Sequence, residues 1–137
     1  MILRNTRTFL LQQSAIGELV ASRVFPNVIP QGMTLPAIRL TTVSGSTYTR
    51  HGTEQLGKTS TTVQVDAYAS NHAEAERLAE KIRIACHQYK GAWGGIHAAS
   101  VHKTDERTFE DMPADGSSAV RRVISQDFRI IHTEAIS

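Results

Sequence analysis

Between Thr59 and Tyr89 the chain first alternates and then winds, and this stretch limits the possible folds more than any other. Val63, Val65, Ala67 and Ala69 fall on one side of an extended segment, with Thr62, Gln64, Asp66 and Tyr68 on the other. A period of two marks a half-buried strand over Thr61–Ala69. A helix follows at once. Asn71 is a good N-cap, and Glu74 completes a capping-box-like pattern. Ala75, Leu78, Ala79, Ile82, Ala85, Cys86 and Tyr89 recur at helical spacing on one face, and Glu74, Arg77, Glu80, Lys81 and Arg83 line the other. Gly91 is expected to stop the helix. So short a junction folds the helix back over the strand's apolar side, making this pair the main layer of the core.

The flanks extend the pattern. Thr6–Ala21 reads as a first helix, with Phe9, Gln13, Ile16, Leu19 and Val20 near one face and Gly17 inside it. Arg23-Val24-Phe25 forms a short extended piece. Pro26, Pro30 and Pro36 then make Asn27–Leu35 a connector, because proline fixes φ and restricts its predecessor. Ala37–Ser44 is a strand. Gly45–Lys58 is polar, glycine-punctuated and longer than the ~2–5 residues a hairpin loop needs, so it protrudes as a β-hairpin or loop arm. Gly91, Gly94 and Gly95 bracket a turn anchored by Trp93. Ile96–Lys103 and Arg121–His132 are the last two strands, separated by an acidic segment that Pro113 and Gly116 mark as a loop.

The resulting order, α-β-β-α-β-β, predicts an α+β two-layer sandwich: a mainly antiparallel four-stranded sheet with two helices on one face. At 137 residues the chain is one domain's worth, 1–137, and large enough to bury a core without staples. One cysteine rules out an internal disulfide. No N-terminal apolar run suggests a signal peptide, and no window has the ~20 apolar residues a bilayer span requires, so no membrane partner is expected. The formal charge of +2 is too small to argue nucleic-acid binding. Its distribution says more. Asp105, Glu106, Glu110, Asp111 and Asp115 face one base, Arg107, in an eleven-residue segment, which leaves the rest of the chain basic. An acidic patch on a basic body suits head-to-tail pairing of identical copies; a solvated acidic loop is the plainer reading.

No catalytic constellation emerges. Gly91–Gly95 follows a helix, whereas a phosphate loop follows a strand and opens a helix. None of the six histidines has metal-ligand spacing, and no second cysteine supports a zinc site. Cys86 lies on the apolar stripe, and its neighbour His87 points elsewhere. Asp66 on a strand calls for a cross-strand partner. We expect a non-enzyme without cofactor or metal. Tyr48, Arg50, His51 and Lys58 make a basic, aromatic-bearing arm that suits a protein contact or, alternatively, a small nucleic-acid-binding module.

Several short motifs recur in one order: Val24-Phe25-Pro26, Pro30-Gln31-Gly32, Leu35-Pro36-Ala37-Ile38, Val63-Gln64-Val65-Asp66-Ala67-Tyr68-Ala69 and the final Arg121–Ile130 strand. In that order they resemble the tail-completion, or tail-terminator, proteins of long-tailed bacteriophages. The resemblance implies a virion structural protein: a homo-oligomeric ring, commonly a hexamer, capping the head-proximal end of the tail tube. It implies the tail-tube protein and the head–tail connector as partners, DNA passing through the lumen, and assembly in the host bacterial cytoplasm. A neighbouring head–tail joining protein fits the same resemblance. A ring needs unlike patches on its two sides. The candidate interface residues are Asp105, Glu106, Glu110 and Asp111, the basic Arg121, Arg122 and Arg129, and the arm.

Overall fold

A computed structural model describes residues 2–30, 32–47, 58–111 and 121–133. The order is α1 (Ile2–Leu11), α2 (Ser14–Val20), β1 (Val24–Pro26), β2 (Ala37–Thr47), β3 (Lys58–Ala69), α3 (His72–Cys86), β4 (Gly91–Trp93), β5 (Ile96–Asp111) and β6 (Arg121–Thr133). The strands form one sheet in the order β1-β2-β3-β6-β5-β4. The expected four-stranded, mainly antiparallel sheet with two helices is therefore corrected: six strands, mixed because β1 runs parallel to β2, and three helices.

Each departure has a local cause. The helix expected over Thr6–Ala21 is broken at Gln13, whose φ of −88° and ψ of 111° are extended. Neither glycine nor proline marks the break. It re-aims the chain so that Phe9 and Leu10 of α1 and Ile16 and Val20 of α2 all reach one core. The extended piece at Val24 becomes β1 by lying along β2, where the Ile38 amide donates to Arg23 O at 2.9 Å and Asn27 donates to Leu40 O at 2.7 Å. The glycine-bracketed turn supplies β4, a three-residue edge paired with the start of β5. The connector before β2 is present, and it includes a cis Leu35–Pro36 peptide.

The strand–helix unit forms as its pattern predicts. Val63, Val65, Ala67 and Ala69 are buried with Leu78 and Ile82 of α3. Asn71 Oδ1 accepts from the Glu74 amide at 2.8 Å, and Glu74 Oε1 accepts from Ser70 N at 3.3 Å. The helix does not run to Gly91. It ends at Cys86, and Gln88 takes the left-handed turn at φ 64°, freeing its amide to donate to Val101 O at 2.7 Å. All three helices contribute to one core on one face of the sheet, and among the described residues no helix covers the other face.

The N-terminal helix is tied to the β4–β5 hairpin by an aromatic cluster. Trp93 is fully buried, stacks on Phe9 at 4.0 Å between ring centroids, and donates its indole N–H to Thr6 Oγ1 at 3.0 Å. Asn5 Nδ2 donates to Gly94 O at 2.6 Å. At Gly94 the backbones touch. Its φ is +56°, and an added Cβ would lie 2.0 Å from Asn5 O.

Two glycine substitutions should therefore act in opposite directions. Gly94→Ala is expected to cost about 2–4 kcal/mol, from backbone strain and displacement of α1. Gly17→Ala, in a helix with nothing within 4 Å of the added carbon, should gain roughly 0.5–1 kcal/mol. Thermal melts of the two variants beside the parent check both signs.

Candidate assembly interface

The acidic stretch is not a loop as far as Asp111; it is the outer half of β5. Its pairing with β6 runs from Asp105↔Asp127 to Asp111↔Arg121. Aspartate and glutamate are poor strand formers, and cross-strand partners of opposite sign offset this. Arg122 Nη1 lies 2.5 Å from Glu110 Oε2. Lys103 Nζ lies 2.6 Å from Glu106 Oε1. The acidic and basic candidates are thus neighbours within one chain.

Strand alternation divides these residues between two faces. Glu106, Glu110 and Arg122 stand on the helix side with Gln126, whose Nε2 donates to Ala79 O at 3.2 Å and to Glu106 at 3.4 Å. Asp105, Arg107 and Arg129 stand on the helix-free side. Lys58 opens β3 opposite Thr133. Tyr48, Arg50 and His51 lie outside the described residues.

The helix-free face holds a polar network that sequence reading largely missed. Asp66, with its side chain 0% exposed, accepts from Arg39 at 2.7 Å, and Gln64 Nε2 approaches its two oxygens at 2.9 and 3.1 Å. Arg107 crosses two strands. It reaches Asp105, Asp127 at 3.0 Å, Ser125 at 3.2 Å and Gln64 at 3.3 Å. Asp127, the first cause, holds the Arg107 guanidinium charged. Tyr68 lies between Arg39 and Arg121, their guanidinium carbons 5.7 and 5.1 Å from its ring centroid. Arg129 Nε donates to Ser60 Oγ at 2.8 Å. Alternation predicted a cross-strand partner for Asp66, but naming Arg39 requires the β2–β3 register. Arg107 drew attention only as the lone base in an acidic run.

These groups orient one another and offer no nucleophile. Cys86 is buried, and burial pushes its thiol up. Among the described residues no cluster of three or more His, Cys, Asp or Glu could hold a metal. No helix is long and apolar enough to cross a membrane.

A family model described as tail completion protein gp17 matches residues 6–132. The chain belongs to that family. A structural role in a phage tail follows from membership. A chain of the virion of a native gene transfer agent particle has a similar fold. The TM-score is 0.66 at 11% sequence identity, over 94% of this chain and 92% of that one. Comparison with curated proteins gives no match. The matched span of this tail completion chain takes in all six strands, α3 and most of α1.

The two kinds of ion pair should separate in mutagenesis. Arg39→Ala leaves the buried Asp66 carboxylate without its cation and is expected to cost about 3 kcal/mol. Arg122→Ala, at a half-exposed pair, should cost at most about 1 kcal/mol. Urea unfolding measures both. Acid should act through Glu106, whose carboxyl is held below its ordinary range chiefly by the hydrogen bond from Lys103. A lowered folded value means that its contribution is complete above the unfolded value of roughly 4.3 and is lost as pH falls through the folded one. Lys103→Met should flatten that acid limb in urea midpoints taken between pH 6 and 3.

Proposed function

We propose that this tail completion protein forms a homo-oligomeric ring capping the head-proximal end of the tail tube. The ring stops tube polymerisation and presents a surface to the head connector. The family match over residues 6–132 carries the reading. Its partners are further copies of itself, the tail-tube protein and the head–tail connector, and assembly takes place in the host cytoplasm.

The described surface supports a ring in a second way. The sheet ends in unlike edges, β1 on one side and β4 with the acid-rich outer half of β5 on the other. Unlike patches are what a heterologous contact requires, and such contacts close into rings. Exposed charge pairs contribute ~0–1 kcal/mol each, so apolar contact must supply most of the affinity. Val28, Val43, Ile84 and Phe109 are large exposed side chains available for it. Asp105, Glu106, Glu110, Asp111, Arg121, Arg122, Arg129 and the arm residues Tyr48, Arg50, His51 and Lys58 then set orientation and register.

Native mass spectrometry with light scattering tests this directly. The expected result is a closed oligomer of one stoichiometry, alone or on addition of tail-tube protein, together with tubes of limited length. A chain that stays monomeric at high concentration and leaves tube growth unchanged overturns it. Copurification with connector but never with tube would place the chain at the head–tail joint instead.

A further inference from the structure

The helix layer leaves part of the sheet's inner face bare. An open groove of about 570 Å³ runs between the N-terminal half of α3 and the outer part of β5 and β6. Thr108, Ile124 and Gln126 form its floor, and His72, Glu76 and Glu80 its helix wall. A second hollow of about 480 Å³ shares His72 and Thr108 with it and continues to Glu110 and Arg122. Together they make one trough. At ~1.5 Å per residue, His72 to Glu80 gives it roughly 12 Å of wall.

The trough has a chemical preference. Gln126 is 1% exposed and its Oε1 has no hydrogen-bond partner, which is rare for a buried amide oxygen. Glu76, Glu80 and Glu106 outnumber Arg77 around the first hollow. An occupant with N–H donors and positive charge fits.

The chain itself carries such a segment. Residues 48–57 join β2 to β3 and contain Arg50 and His51, with Lys58 directly after, against the single acid Glu54. This segment cannot fill its own trough. It leaves the sheet at the Lys58↔Thr133 end, whereas the trough lies at the Ala69↔Arg122 end. The length of β3 separates them, roughly 36–40 Å at ~3.3 Å per residue. A connection of that size, anchored at both ends, reaches at most about 17 Å. We propose that the trough of one copy receives residues 48–57 of a neighbouring copy, with Arg50 and His51 against the glutamates and N–H donors turned to Gln126. The proposal rests on the ring reading and specifies its contact, a heterologous one in which arm meets trough.

Disulfide trapping in the full chain tests it. Thr108 is exposed, and the native Cys86 is buried and stays out of the exchange. The double variant Arg50→Cys, Thr108→Cys should give a ladder of dimers and higher species on a non-reducing gel after mild oxidation. Neither single variant should give it. In parallel, Glu76→Arg, at a side chain 63% exposed, should weaken self-association tenfold or more, and Arg50→Glu in the same chain should restore it. A closed oligomer by light scattering with no ladder and no effect of the charge swap overturns the arm-in-trough contact while leaving the ring intact. A monomer under all conditions, with or without tube protein, overturns both.

Discussion

The β3–β6 ladder is the constraint on which everything else rests. It runs without a register shift from Lys58↔Thr133 to Ala69↔Arg122, at the centre of the sheet. Both of its faces are buried, in different ways. On one face Val63, Val65, Ile124 and Phe128 meet the helices. On the other, Asp66, Tyr68 and Ser125 are hidden beneath long side chains, chiefly arginines, from the neighbouring strands. The apolar face supplies the driving force, since burial of carbon removes surface from water. The polar face is held by geometry: each buried acceptor has a donor within reach, and losing one leaves a charge without compensation.

What could be read beforehand follows from how local each signal is. β3 and α3 were legible because their burial pattern repeats within a few residues and Asn71 caps its own helix. The break at Gln13 was not, because only the distant demand that Phe9 and Ile16 share a core requires it. The outer half of β5 was hidden by its own composition. Asp105, Glu106, Glu110 and Asp111 read as loop until the register supplies Arg122, Gln126 and Asp127 opposite them. β1 and β4 are three residues each, too short for any periodicity, and exist because β2 and β5 offer them an edge.

The candidate interface shows the same division. Residue types suggested acidic and basic patches, and their order along the chain kept them apart. The fold places them on adjacent strands and pairs Glu110 with Arg122 and Glu106 with Lys103. A surface of neutralised pairs steers a partner less than two bare patches would, and it discriminates among partners by where each pair sits. This places more weight on shape: the trough beside α3, the exposed Phe109, and the unlike edges of the sheet.

The last strand to be made sits in the middle of the sheet. During synthesis, residues 58–69 and 96–111 emerge first, and each waits with one backbone edge bare until 121–133 leaves the ribosome. A chain arrested before that point presents two open templates for wrong pairing and no finished layer for the helices to rest on. Truncated products are thereby marked for aggregation or proteolysis before they can join an assembly, so the topology itself screens for intact subunits.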